Sequence, residues 1–359
     1  MLYSRYPALA NSLPRFPLLS GPTPVRPMYQ LMDRLGHPSL FVKTDSLCSP
    51  VWGGNKVRKL EFLLGDALAR DCREVITFGF AGSNHCTATA VCASAAGLGC
   101  TSFLSEQENA QYVRKNLLTG FHAGAKLVHT SLETMQQDSE RYVADQLRRT
   151  DSSPYVVPAG GSSPIGVCAF VAAAFELAGQ IAAGELHEPD YLFVPMGTAG
   201  TAAGLVVGLR AAGLATRVVA VSVVDPDYMN GEKLCQIANS TAELLRTLDP
   251  TFPNFRVSAG DFMEETGFFG GGYAHITEEA AEAIQLGMED ESLPLEGTYT
   301  GKAFAAMISY AREGHLHDRL GLYWHTLNAV AHPAEAQNAD FRNLPDPFHR
   351  YFTEPAQDE

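Results

Sequence analysis

Short β-branched runs bounded by glycine recur along the chain, and between them lie Ala- and Leu-rich stretches of helical period. That alternation constrains the fold more than any other feature. Runs at 74–78, 101–104, 126–129, 155–158, 191–195, 217–224 and 321–324 read as strands. Stretches such as 59–69, 87–96, 202–212 and 278–288 read as helices,. Strands alternating with helices imply an α/β chain whose parallel sheets are covered on both faces. A length of 359 residues suits two ordinary domains or one large α/β unit,. Neither an internal repeat nor a low-complexity linker marks a boundary. The segments 106–111 and 334–359 are expected to be irregular.

Charge narrows the function. Lys and Arg total 26 against 40 Asp and Glu, a net charge of −14. Nucleic acid and anionic lipid are therefore poor partners, and a small-molecule substrate remains. The N-terminus has no apolar stretch behind a positive start, and no later run is expected to approach the roughly 18 residues of a membrane span. A cytoplasmic protein without a membrane partner is the expectation. The seven cysteines lie mostly in apolar contexts, as small hydrophobes do,. With no C-x-x-C or H-E-x-x-H, no metal site is expected, and His315 and His317 read as a solvated pair.

Gly-rich turns at strand-to-helix junctions, where open α/β sheets bind ligands, carry the chemistry. In Gly53-Gly54-Asn55-Lys56-Val57-Arg58-Lys59-Leu60-Glu61, Lys56 stands at the mouth of a helix. The helix dipole there disfavours an ammonium and favours the neutral amine of Schiff-base chemistry. A solvated lysine in a basic turn fits the motif equally. Gly79-Phe80-Ala81-Gly82-Ser83-Asn84-His85 opens another helix. Its free N–H groups suit a substrate carboxylate on Ser83, Asn84 and His85, with the Ser83 hydroxyl available for proton transfer. Plain N-capping by Ser83 is the other reading.

The third turn, Met196-Gly197-Thr198-Ala199-Gly200-Thr201-Ala202-Ala203-Gly204, lacks the ending of a P-loop, and no G-x-G-x-x-G with a later acid is present. A monophosphate cofactor fits it better than a dinucleotide, and a merely tight turn is the alternative. The last two segments are Gly270-Gly271-Gly272-Tyr273 and Gly297-Thr298-Tyr299-Thr300-Gly301-Lys302. Tyrosine beside glycine is also satisfied by a packed aromatic.

Taken in order, these segments resemble the family containing D-cysteine desulfhydrase and 1-aminocyclopropane-1-carboxylate deaminase, pyridoxal-phosphate enzymes of fold type II. The resemblance also uses Phe16-Pro17-Leu18, Gly21-Pro22-Thr23-Pro24 and Pro158-Ala159-Gly160-Gly161-Ser162-Ser163, and covers about residues 10 to 330. It implies two open, twisted, mostly parallel sheets flanked by helices, a large and a small domain with the cofactor between them. The large domain would comprise residues 1–55 and 160–340, the small domain 56–159, and a C-terminal tail 341–359. Pyridoxal 5′-phosphate would join Lys56 as a Schiff base. Thr198, Ala199, Gly200 and Thr201 would hold its phosphate, Asn84 its 3′-oxygen, and Thr300 would stand beside the ring nitrogen. Ser83, Asn84, His85 and Gly161 would receive the substrate. Lys56, Ser83, Tyr273 and Tyr299 would be catalytic, the two tyrosines facing the substrate from the other side. A homodimer is the family's usual assembly.

Under that resemblance the reaction is β-elimination from a small β-substituted amino acid, as in D-cysteine desulfhydrase, giving pyruvate, ammonia and sulfide. The Lys56 amine would remove the Cα proton. The deaminase carries Glu where this chain has Thr300, and a neutral hydroxyl leaves the ring a weaker electron sink. That suffices to expel a good leaving group, whereas opening a cyclopropane is more demanding. Deamination of 1-aminocyclopropane-1-carboxylate to 2-oxobutyrate is the alternative, as is another β-substituted substrate such as cysteate. Two departures bear on the pocket wall: Lys43 to Trp52, and Leu327-Asn328 where two glycines are usual.

Overall fold

The computed structural model describes residues 1–37 and 39–356. Residues 357–359 of the expected tail lie outside them. Among the described residues the strands are β1 (Val25–Pro27), β2 (Leu40–Thr44), β3 (Glu74–Phe80), β4 (Gly99–Ser105), β5 (Lys126–His129), β6 (Tyr155–Val156), β7 (Tyr191–Met196), β8 (Arg217–Ser222), β9 (Phe262–Glu265) and β10 (Gly321–His325). They form a six-stranded sheet, β1-β2-β10-β7-β8-β9, and a four-stranded sheet, β5-β4-β3-β6. Every pairing is parallel except β1 with β2.

Successive side chains of a strand point to opposite faces, and the larger sheet buries both. Leu192, Val194, Val218, Ala220, Leu322 and Trp324 face one core with the helices Pro164–Ala182 and Gly200–Ala212. Phe193, Val219, Val221 and Tyr323 face another with the helices Glu278–Glu291 and Thr300–Arg312. The first helix pair packs closely: a Cβ on Gly204 would fall 2.5 Å from Phe170 Cβ and 2.6 Å from the Val167 carbonyl oxygen. A third core joins the four-stranded sheet to the helices Asn55–Ala69, Asn84–Ala95 and Gln111–His122. It also takes in Leu344, Phe348 and Tyr351, so the tail is packed, although its elements are only turns of three or four residues. The segment 106–110 has no regular structure, as expected.

One expectation is corrected. The helix Pro164–Ala182, with 19 residues and a mean hydropathy of 1.8, is long and apolar enough to cross a membrane by length and composition. It is a core helix, with Val167, Phe170, Val171, Ala174 and Leu177 all inaccessible to solvent. Its Glu176 also takes part in a buried ion-pair cluster. Lys43 Nζ lies 2.6 Å from Glu176, while Arg58 bridges Glu176 at 3.0 Å and Asp45 at 2.9 Å. Asp45 further accepts from Trp324 Nε1 at 2.8 Å. Charges are tolerated at this depth because each has a counter-charge and further hydrogen bonds.

Candidate active site

A cavity of about 410 Å³ is walled by elements of both sheets, within the size range of small-molecule sites,. The ends of β3 and β7, the loops after β8 and β10, and the first turns of the helices Asn55–Ala69, Asn84–Ala95, Gly200–Ala212 and Thr300–Arg312 line it. First-turn N–H groups have no intrahelical acceptor and carry the positive end of the dipole. Of the four, the starts of Asn84–Ala95 and Gly200–Ala212 suit an anionic ligand.

Lys56 enters from the first of these helices. Its turn is fixed by the loop after β10: Gly53 N–H donates to Asn328 Oδ1 at 2.8 Å, and Asn55 N–H to the Thr326 carbonyl at 3.1 Å. Gly53 is obligatory, since a Cβ there would fall 1.8 Å from the Ser46 carbonyl oxygen. Asn328, the departure noted in the sequence, is therefore the residue that holds the lysine turn. Burial pulls the Lys56 ammonium down to about 8, with Glu296 acting weakly in the opposite direction. Desolvation therefore moves Lys56 toward the amine.

The loop 198–201 leads into the third helix through Ala199, whose φ of +55° lies in the left-handed region. Its hydroxyls are set by neighbours: Thr198 Oγ1 lies 2.7 Å from Ser162 Oγ, and Thr201 Oγ1 accepts from Asn55 Nδ2 at 3.1 Å. Lys59, one turn beyond Lys56, points to the same place. It donates to the Gly160 carbonyl at 2.9 Å and Ser162 Oγ at 3.1 Å, and a Cβ on Gly200 would lie 2.8 Å from its Nζ. Among the described residues no carboxylate lies within ion-pair distance of this buried ammonium, and burial and Lys56 hold its pKa well down. A buried lysine without counter-charge, whose ammonium an anion would restore, beside a helix N-terminus and two hydroxyls, fits a phosphate. In the same wall Gly160 lines the cavity, and Gly161 stands just behind it. Gly161 packs with φ +64° against Leu63 and Lys59.

On the side of the smaller sheet, Ser83, Asn84 and His85 line the cavity together. Ser83 Oγ accepts from Cys86 N–H at 3.3 Å and so caps the helix. Asn84 Oδ1 accepts from Asn116 Nδ2 at 2.9 Å, which turns the Asn84 amide N–H groups outward as donors. His85 is buried, with Nε2 3.0 Å from Thr77 Oγ1, and desolvation holds it neutral.

Opposite elements bring in Tyr273 and Tyr299, whose hydroxyls are 2.6 Å apart, with Tyr273 stacked on Phe80. Burial raises both phenols far above their ordinary range, so they are neutral proton donors rather than bases. Thr300 Oγ1 accepts from Glu296 N–H at 2.8 Å and lies 3.2 Å from Glu296 Oε1. The Glu296 carboxylate takes the N–H groups of Thr298, Tyr299 and Thr300, each at 2.8 Å, and so caps the fourth helix.

The sequence reading missed Asn55, Lys59, Asn116, Ser162 and Glu296. Lys59 had a signal in its spacing of three from Lys56, and Glu296 in standing just ahead of a helix start. Asn116 had none, because only the fold brings the middle of its helix to Asn84.

Residues 17–323 match the family model described as pyridoxal-phosphate dependent enzyme. The chain belongs to that family. The cofactor that the lysine turn and the phosphate cradle fit is thus pyridoxal phosphate. Similar proteins include a nocardicin C-9′ epimerase from Nocardia uniformis subsp. tsuyamanensis, 34% identical over 88% of this chain and 93% of the relative. A D-cysteine desulfhydrase from Serratia proteamaculans is 33% identical over 89% and 94%. A solved structure of a homologue of ACC deaminase superposes with a TM-score of 0.77 at 31% identity, covering 91% of this chain and 95% of the other. The two sheets and their flanking helices are thus those of a fold type II enzyme. Three similar proteins bear three activity names, so membership fixes the cofactor and leaves the substrate to the site.

Proposed function

We propose that this enzyme eliminates the β-substituent of a small amino acid, releasing pyruvate and ammonia, with D-cysteine as the model substrate. The observation that carries this reading is the environment of Thr300. Its hydroxyl is neutral, and the nearest carboxylate, Glu296, is taken up by three backbone N–H groups. A ligand ring beside Thr300 meets a neutral hydroxyl, with the cavity-lining Glu296 carboxylate behind it already engaged by backbone donors, which weakens any support for a protonated nitrogen,. Pyridoxal phosphate, when bound, supplies the electron sink for the carbanion formed at Cα.

The chain's own residues supply the remainder. Lys59, Thr198 and the first N–H groups of the Gly200–Ala212 helix hold the phosphate. Outward N–H groups of Asn84 and the Ser83 hydroxyl orient the substrate carboxylate. The Lys56 amine, neutral in part at pH 7 to 8, removes the Cα proton,. The Tyr273–Tyr299 pair, neutral and hydrogen-bonded, faces the departing group and offers it a hydrogen-bond donor.

Deamination of 1-aminocyclopropane-1-carboxylate is the second reading, favoured by the likeness to the deaminase homologue. The test is product analysis of the holoenzyme with D- and L-cysteine and with the cyclopropane substrate. More pyruvate than 2-oxobutyrate is expected. Robust 2-oxobutyrate, with no product from any β-substituted amino acid, would make the enzyme a deaminase.

A further inference from the structure

Part of the cavity wall is lined by apolar side chains. Leu132, in the loop after β5, and Tyr228, in the loop after β8, both line it, and are 67% and 54% exposed. Each comes from a different sheet, and half-buried Met135 and Phe80 continue the same apolar wall. A single exposed hydrophobe needs no explanation, but several converging on one ligand cavity mark a place for an apolar group.

Charge on the walls points the same way. Among the described residues, the basic side chains lining the cavity are Lys56 and Lys59, both assigned above to the cofactor, and His85, which is neutral. No arginine lines it. An anionic substituent, such as the sulfonate of cysteate, would find no counter-charge and would meet exposed Asp225 beside Tyr228,.

We infer that the substrate is a cysteine S-conjugate whose sulfur carries a neutral apolar group, aryl or arylalkyl, seated between Leu132 and Tyr228. The inference rests on the elimination reading above. The Cα–H and Cβ–S bonds break, the sulfur takes a proton to leave as a thiol, and 2-aminoacrylate adds water and loses ammonia. The balance is conjugate plus water giving thiol, pyruvate and ammonia, with no change of oxidation requiring a further reactant.

The test measures pyruvate from the holoenzyme with both enantiomers of S-benzylcysteine, cysteine and cysteate. The preferred enantiomer of S-benzylcysteine should exceed cysteine by tenfold or more in kcat/KM, the ordinary worth of an apolar group in an apolar pocket. Leu132→Asp, an exposed loop substitution, should lower that ratio by about tenfold. S-benzyl-α-methylcysteine, which has no Cα proton to lose, should bind correspondingly more weakly to this variant by calorimetry. Pyruvate released preferentially from cysteine or cysteate would overturn the inference and leave elimination standing. A ratio and an affinity unmoved by both Leu132→Asp and Tyr228→Asp would overturn it too. Product from the cyclopropane substrate alone would remove the elimination reading, and this inference with it.

Discussion

Two lysines one helical turn apart line the same cavity, Lys59 buried and Lys56 half-buried, and among the described residues neither is paired with a carboxylate. Such groups are costly to keep charged, and the two respond differently. Burial shifts both toward the amine, Lys59 well below the ordinary lysine range; an anion bound beside Lys59 would restore its charge, whereas Lys56, held near 8, serves as the free amine,. Below that value the ammonium predominates and cannot attack an aldehyde, and above it the amine predominates. The rate at which the apoenzyme takes up pyridoxal phosphate, followed by the visible absorbance of the Schiff base, should therefore rise with pH through a midpoint of about 8,. The absorbance should not develop at all in Lys56→Ala, and a label recovered on Lys59 instead would exchange the two roles. Thr300 offers a second test. Thr300→Glu should increase 2-oxobutyrate from the cyclopropane substrate relative to pyruvate from cysteine, because a free carboxylate raises the ring-nitrogen pKa by a unit or more, about 1.4 kcal/mol per unit. It also sets a second acid against Glu296, so the thermal midpoint should fall. An unchanged product ratio would mean that the ring nitrogen lies elsewhere.

The elements that matter most are helix beginnings. The cradle at Gly200 has no space for a side chain, since a Cβ would meet Ser162 Oγ at 2.4 Å and Lys59 Nζ at 2.8 Å. Gly200→Asp adds bulk and a negative charge where the phosphate belongs. Cofactor affinity should weaken by a hundredfold or more in a spectral titration, and an unchanged affinity would move the phosphate off this loop. These junctions were legible because glycine, serine and threonine between an apolar run and a helical period have few other uses. Legibility failed where polarity interrupts a strand: β2 contains Lys43, and β9 ends in Glu264 and Glu265. It failed again where a partner is distant, as with Asn116 and Asn84, or where an acid caps a helix instead of meeting a ligand, as Glu296 does.

Across the whole molecule, the buried cluster of Lys43, Arg58, Asp45 and Glu176 ties the larger sheet and the core helix Pro164–Ala182 to the helix that bears Lys56. Burial alone would raise the Glu176 carboxyl, but Arg58 and Lys43 outweigh it and hold its pKa near 2. A depressed folded-state pKa contributes stability above the unfolded value of 4.5, lost as pH falls from there toward 2,. Glu176→Gln removes a counter-charge from two buried cations and should cost about 3 kcal/mol at neutral pH, with a smaller acid dependence between pH 4.5 and 2, measured by denaturant unfolding. A loss below 1 kcal/mol would mean that solvent reaches the cluster. The order in which the chain is made gives another of its features a consequence. β10, the last strand in sequence, lies in the middle of the larger sheet between β2 and β7, and the loop after it grips the lysine turn through Thr326 and Asn328. A ribosome that has not yet released the region around residue 328 therefore holds a chain with an open slot at the centre of its main sheet. Such a nascent chain cannot set Lys56 and must keep the exposed edges of β2 and β7 from pairing with other chains until the final strand arrives.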